Sequence, residues 1–303
     1  MQQRDLDVVV IGNVGIDTNV YFHSGEPDFG REANFTDNID YLGQAGGYAS
    51  RGYAALERRT AFIGHVGDDP NGHFIRATLA ADGIDVSALW VDPAGTARSI
   101  NLMYGDGRRK NFYDAKGHMT LRPDLEQCRA LFARARLAHF NLPNWGRLLL
   151  PLAKAAGVTI ACDLQDVVTL RDGYRDDFID HADIVFFSAV NCDDPEPMML
   201  ELLRANSRLV VVSGMGARGC ALGTAAGIRR FSPVAMTTPV IDSNGAGDGL
   251  AVGFLDAYVL RGESLETAIR CGQIAARHTC TLKASTDGLI SPEMLRRYLN
   301  QLE

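Results

Sequence analysis

Residues 242–249, Asp242-Ser243-Asn244-Gly245-Ala246-Gly247-Asp248-Gly249, join a β-type run to a helix through small side chains and include the carboxylate of Asp248. Gly245 and Gly247 lack a Cβ, so the turn can take unusual backbone angles and bring its N–H groups close to an anion. The first N–H groups of a helix have no partner within it and lie at the positive end of its dipole, where negative charge is stabilised. Asp248 falls within that first turn. A phosphate-sized anion and a fixed base would therefore share one small space, as phosphoryl transfer to an alcohol requires. A bare G-x-G-D also fits a capped helix start. The whole string, followed by the apolar small-residue run 250–260, carries the functional reading.

Such a turn needs a sheet behind it. The run 7–12 is short and almost wholly apolar, as in a parallel strand covered on both faces, and it delivers Asn13 and Asp17 to its carboxyl end, where open α/β sheets bind ligands. No helix follows and the glycine spacing is not G-x-G-x-x-G, which excludes a dinucleotide fingerprint. Helices are expected at 47–58 and 71–82 with a strand at 60–64 between them. From 137 onward the alternation is regular: strands 137–141, 158–163, 183–187 and 208–213, helices 146–156 and 196–205, then helices 250–260, 265–279 and 292–302. This βα repetition implies a doubly wound α/β fold with a mostly parallel central sheet. Two β-rich insertions, approximately 18–45 and 96–117, interrupt it. The second reads as a hairpin turning at Gly105-Asp106-Gly107, and together they imply a small sheet standing apart within one domain spanning 1–303.

Composition is that of a globular chain of 303 residues, 46% hydrophobic and 22% charged. The net charge of -7 advertises no basic surface, which argues against nucleic acid as a partner. The six cysteines are scattered without metal-site spacing and read as buried thiols of a reducing compartment. No stretch reaches membrane-spanning length, and a cytoplasmic protein without a membrane partner is expected.

The string Asp242-Ser243-Asn244-Gly245-Ala246-Gly247-Asp248 resembles the D-[ST]-x-G-A-G-D signature of the ribokinase-like, or PfkB, family of carbohydrate and nucleoside kinases. The likeness extends over nearly the whole chain. Gly46-Gly47 with Arg51 to Leu56 resembles the family's first signature, G-G-x-x-x-N-x-A, and residues 62–72 resemble its strand and turn, in which Asp68 and Asp69 read as structural. Gly214-Met215-Gly216-Ala217-Arg218-Gly219 is similar to T-x-G-x-x-G of the nucleotide site, with Ser213 one place before the usual hydroxyl. The resemblance implies a ribokinase-like αβα sandwich with a small β-sheet lid, often paired into a homodimer through that lid. It implies ATP and Mg2+ as cofactors, an adenine-side position at Gln273, and acceptor contacts from Asn13, Asp17, Gly46, Gly47, Arg51 and Asn141. Asp242 matches a monovalent-cation position, for K+, and equally reads as a turn-forming Asp.

Two departures stand out. Where N-x-x-E should follow the strand 183–187 the chain reads Ser188-Ala189-Val190-Asn191, leaving Asp193, Asp194 or Glu196 as substitutes or magnesium to ATP and water. Arg51 replaces the Asn of the first signature, either pairing with a carboxylate as a structural residue or selecting an anionic acceptor. The expected activity is ATP-dependent phosphorylation of a sugar-like hydroxyl. Asp248 would act as base, and the amides of Gly245, Ala246 and Gly247 would hold the charge of the γ-phosphate. A nucleoside kinase, with Tyr21, Phe22, Tyr48, Phe112 and Tyr113 stacking on a base, and a sugar-binding regulatory protein on the same scaffold are the alternatives.

Overall fold

The computed structural model describes residues 4–105 and 108–302. Its main sheet has nine strands in the order β13-β12-β11-β10-β9-β8-β1-β4-β5. These are β1 (Leu6–Ile11), β4 (Thr60–Val66), β5 (Asp85–Val91), β8 (Ala135–Phe140), β9 (Thr159–Asp166), β10 (Ile184–Ser188), β11 (Val210–Gly214), β12 (Cys220–Thr224) and β13 (Gly227–Phe231). Pairing is parallel from β5 through β11 and antiparallel for β12 and β13.

Alternation along the strands sorts the core into two layers. Val9 and Ile11 of β1 point with Ala138 and Phe140 into the layer holding α3 (Leu125–Arg134), α4 (Leu150–Ala155), α5 (Asp176–His181) and α6 (Glu196–Ala205). Val8 and Val10 point the other way, toward α1 (Gln44–Ala55), α2 (Pro70–Ala81), α7 (Ala246–Leu255), α8 (Leu265–Thr279) and α9 (Pro292–Leu302). Each such side chain, removed from water on both faces, contributes about 1.5–3 kcal/mol. The αβα sandwich expected from the sequence is the observed architecture.

Four further strands form the separate sheet in the order β3-β2-β6-β7: β2 (Gly15–Phe22), β3 (Thr36–Gly43), β6 (Arg98–Met103) and β7 (Arg109–Asp114). The expected Gly105-Asp106-Gly107 turn falls largely on residues 106 and 107, outside the described residues. Asp17 is the third residue of β2 and not the end of the first strand, so the acidic position belongs to this small sheet.

Several boundaries differ from the sequence reading for identifiable reasons. Helix α1 starts at Gln44, before the glycines, because Gly46 must lie against Asn13 and Phe62, where a Cβ would clash. The expected single helix 250–260 is α7 followed by a π-helical turn, Asp256–Leu260, whose buried Asp256 takes Arg58 and Arg261 as partners. Small residues let α7 and α8 approach closely: a Cβ on Gly253 would lie 2.6 Å from the Cys271 carbonyl, and one on Gly272 equally near that of Leu250. Strands β5, β12 and β13 and helices α3 and α5 have no counterpart in the sequence reading.

Candidate active site

Helix α7 begins on Gly245, which takes the left-handed conformation at φ 74°. Its missing Cβ would also collide with the Tyr48 ring of α1, so the loop passes there only as glycine. The Gly249 N–H bonds back to the Gly245 carbonyl at 2.8 Å and the Ala246 N–H to the Ser243 carbonyl at 3.3 Å, while the Gly247 N–H, in the first turn of the helix, has no partner within it. Gly247 is exposed, and a Cβ there would meet no atom within 4 Å. That open volume at a helix N-terminus is suited to an anion.

Asp248 stands beside it. Burial raises its carboxyl well above the usual range, the Asp163 carboxylate raises it further, Arg109 opposes, and Asp17 adds to the rise. Its Oδ1 is buried with no partner. Asp17 reaches the same region from β2. Burial pushes it up to about 6 against the Gln44 N–H, Ser99, Arg109 and Tyr41, which favour its charged form. The Gln44 N–H donates to Asp17 Oδ2 at 3.1 Å, while Oδ1 is buried and unpaired. Gln44 itself is held at φ 63°, unusual for a residue with a side chain, and both polar atoms of its amide are buried without partners.

Asn13 bonds His118 Nδ1 at 3.0 Å and so ties the end of β1 to the segment after β7. Asn141, just past β8, is buried beside Gly12 with both amide atoms unpaired. Gly46 and Gly47 fill the gap beneath, against Asn13 and Leu42. Arg51 is not in this group. Its Nε donates to Asp82 Oδ2 at 2.6 Å and its Nη1 to Thr286 Oγ1 at 2.7 Å, with Asp287 also 2.7 Å away, so its guanidinium is spent on the scaffold. The acceptor role expected for Arg51 gives way to this ion-paired one.

Two functional candidates were missed by the sequence reading. Asp163, near the end of β9, is buried and pushed up to about 6, chiefly by burial, with the Gln165 N–H opposing and Asp166 adding. Arg109 lies directly across the β6–β7 ladder from Met103, and directly opposed residues share a face. Met103 accepts from Asn244 Nδ2 at 3.7 Å, so that face looks onto the 242–249 loop. The same alternation puts Asp17, Asn19, Tyr21, Ser99, Asn101, Asn111 and Tyr113 on the loop side and Phe22, Ile100 and Phe112 on the other. The aromatic set expected to stack on a base is therefore split between opposite faces. No repeat or motif marks Arg109 in the sequence, and only strand register finds it.

At the other end of the loop, β11 finishes at Gly214 and the chain turns through Gly216–Arg218 with Gly216 and Gly219 both at positive φ. Gly219 is packed under the Phe231 carbonyl, whereas Gly216 faces open space. Ser213 is fully buried with its hydroxyl unpaired, so it presents nothing at the surface. Gln273 of α8 is buried and donates to the carbonyl of Ser232 at 2.9 Å, bracing the strand that flanks this turn. Arg218 ties the same turn to the carbonyl of Asp193.

The segment after β10 carries no N-x-x-E at its start, and its acidic side chains lie further on. Asn191 Nδ2 lies 3.4 Å from Asp166 Oδ2, and Asp194 stands three residues after Asn191, at the spacing of the motif with Asp in place of Glu. Asp194 accepts from the Glu196 N–H and from Arg230 at 2.7 Å, which commits it to the start of α6. Among the described residues no group of three His, Cys, Asp or Glu side chains is arranged to hold a metal, and no helix is long and apolar enough to cross a membrane. Asp242 is buried; its Oδ2 accepts from Asn19 Nδ2 at 2.8 Å and the Tyr21 hydroxyl at 3.2 Å, and its Oδ1 from the Asn244 N–H at 2.9 Å.

Comparison with known proteins agrees with this geometry. The pfkB family carbohydrate kinase model matches residues 6–291. Acarbose 7(IV)-phosphotransferase of Actinoplanes sp. is 33% identical over 294 residues, covering 96% of this chain and 97% of its own. The 5-dehydro-2-deoxygluconokinase of Lacticaseibacillus casei is 25% identical, covering 99% and 97%. Among solved structures, a microbiome-derived acarbose kinase superposes with a TM-score of 0.86 at 30% identity, covering 97% of this chain and 99% of that one. The family match and the relatives cover nearly the whole chain, in a fold that sets a carboxylate beside a helix N-terminus: this protein belongs to the pfkB family of carbohydrate kinases and is an ATP-dependent phosphotransferase acting on a sugar hydroxyl.

Proposed function

We propose that the chain phosphorylates a neutral, hydroxyl-rich sugar or glycoside, with Asp248 as the base and Asp17 as the acceptor's anchor. The observation that carries this is a set of buried, unpartnered polar atoms: Asp17 Oδ1, Asp248 Oδ1 and both amide atoms of Gln44 and Asn141. A buried polar atom left unpaired costs about 1–3 kcal/mol, so such a group is retained where a ligand completes it. Carboxylates accept from hydroxyls and amides both donate and accept, which matches a sugar and not an anion. Gly46 and Gly47 keep the floor of this space low, and Asn13 fixes its wall.

The phosphoryl donor, ATP, would be held at its terminal phosphate by the amides of Gly245 and Gly247, beside the open volume at Gly247, with Ala246 contributing once its long bond to Ser243 is released. Gly214, Gly216 and Gly219, beside the segment that Gln273 braces, would receive its nucleoside. Mg2+ is a hard cation that keeps much of its water, and the oxygen donors Asp163, Asp166 and Asn191 at the ends of β9 and β10 suit a hydrated ion arriving with the nucleotide. When bound it neutralises phosphate charge. Asp248 would take the acceptor proton as the acceptor oxygen bonds to the γ-phosphorus and the bond from that phosphorus to the bridging oxygen breaks, releasing ADP, and Arg109 would offer positive charge from the lid to the group in transit. The outer face of the lid, with Ile100 and Phe112 exposed, pairs two copies of the chain into a homodimer. The domain is one unit over residues 1–303, with lid segments at approximately 18–45 and 96–117.

The test is ADP release with ATP over a panel of neutral sugars, glycosides including acarbose, sugar acids and nucleosides. Neutral sugars or glycosides should turn over best. A sugar acid or nucleoside preferred by tenfold or more would overturn the acceptor class, and no ADP release from any of them would favour a regulatory sugar-binding protein.

A further inference from the structure

Three asparagines form a ladder across the small sheet. Asn111 Nδ2 of β7 donates to Asn101 Oδ1 of β6 at 2.8 Å, and Asn101 Nδ2 donates to Asn19 Oδ1 of β2 at 2.9 Å. Asn19 Nδ2 in turn donates to Asp242 Oδ2 at 2.8 Å. Each pair is directly opposed in register, so all three amides stand on one face and all donate in the same direction. Asn19 and Asn101 are almost wholly buried. Tyr21 adds a second donor to Asp242 Oδ2, the Ala284 N–H adds a third at 3.3 Å, and the Asn244 N–H occupies Oδ1. A network in which every member is satisfied is rigid, and one missing member leaves the others buried and unpaired.

We propose that Asn19 and Asn101 are positioning residues that latch the lid to the 242–249 loop through Asp242, occupying the place where the family resemblance sets a monovalent cation. The donors reach both carboxylate oxygens with their hydrogens inward, so a cation approaching Asp242 would meet positive ends of dipoles from the lid and from the loop itself. The donor set does not fit K+. The latch fixes Asn244, and with it the turn at Gly245, while carrying Arg109 on the same strand as Asn111. The proposal rests on the kinase reading only in that this loop holds the transferring phosphate.

The test pairs kinetics with amide hydrogen exchange on the intact protein. Asn101→Leu, which keeps the shape and loses both bonds, should lower kcat about tenfold, the scale of one lost hydrogen bond, with the KM for ATP unchanged. Exchange should quicken in segments 98–114 and 242–249 and not in β1 or β8. Asn111→Ala, whose side chain is exposed and whose folding is not at risk, should give the same pattern more weakly. The wild type should show the same kcat and the same thermal midpoint in K+ and in tetramethylammonium at equal ionic strength. Exchange that quickens uniformly, or not at all, overturns the latch. Saturable activation or thermal stabilisation of the wild type by K+ overturns the replacement of the cation. Exchange and thermal midpoint need no turnover, so they stand apart from any failure of the kinase reading.

Discussion

Asp163 raises the carboxyl of Asp248 beyond what burial alone does, so the proposed base is set against a second acid from near the end of β9. Two carboxyls in one field resist ionising together, and positive charge brought near them, as Arg109 does, favours their ionised forms. Replacing Asp248 with Asn should lower kcat at least about a hundredfold, the lower end of a general base's contribution. The same change removes an unneutralised buried charge, so the thermal midpoint should hold or rise. Near-normal turnover in a folded Asp248→Asn protein would end the assignment.

Asp17 gives a pH dependence whose sign is fixed. Its folded pKa of about 6 lies above the 3.8 of a free carboxyl, so its stabilising share is full below the unfolded value and is lost as pH rises through about 6. The shift corresponds to roughly 3 kcal/mol. Chemical denaturation without ligand should show stability falling between pH 4 and 6, and Asp17→Asn should flatten that slope. In its proposed role as acceptor anchor Asp17 would bind as the carboxylate, so kcat/KM should climb over the same interval; an acid limb near pH 4 would contradict this.

Gly245 and Gly247 should separate fold from function. Gly245→Ala must fit a methyl into the Tyr48 ring at a left-handed φ, and should unfold or lose several degrees of thermal midpoint. Gly247→Ala meets open space and should fold as well as the wild type while weakening ATP turnover about tenfold or more, because the methyl occupies the anion's place. Unchanged turnover would move the phosphate elsewhere.

Arg51→Asn tests the scaffold role. Loss of the partly exposed pair with Asp82 and the part-buried bond to Thr286 should cost about 1–3 kcal/mol together, the exposed Asp287 adding little. The ranking of acceptors should not move. A shift from sugar acids toward neutral sugars would restore Arg51 to the acceptor site.

Arg109→Gln should reduce kcat by about tenfold and move the acid limb of the pH profile upward, since Arg109 favours the charged forms of both Asp17 and Asp248. Arg109→Lys should recover part of both. An effect confined to the KM of the acceptor would make it a recognition residue instead.

The parts legible from sequence were those governed by local chemistry. The string 242–249 located the helix start, β1 declared its burial through an unbroken apolar run, and helices α8 and α9 were read to the residue because period and caps agree there. What escaped was set by register and distance. Asp163 looks like any Asp closing a strand, and its meaning comes from Asp248 lying far along the chain. Arg51 departs from a motif, and the carboxylates that claim it, Asp82 and Asp287, lie in segments no spacing connects to it. Asn19, Asn101 and Asn111 are unremarkable singly and become a ladder only once β2, β6 and β7 are aligned.

The small sheet is made from two stretches of chain, β2 with β3 and β6 with β7, separated in sequence by α1, β4, α2 and β5. Its central β2–β6 pairing is parallel and cannot close by a hairpin, so the intervening βα unit must be laid down first. We therefore expect the lid to be a late folding event. In refolding from denaturant, far-UV circular dichroism should return before acceptor-dependent turnover. Simultaneous recovery of both signals would show instead that lid and core fold as one cooperative unit.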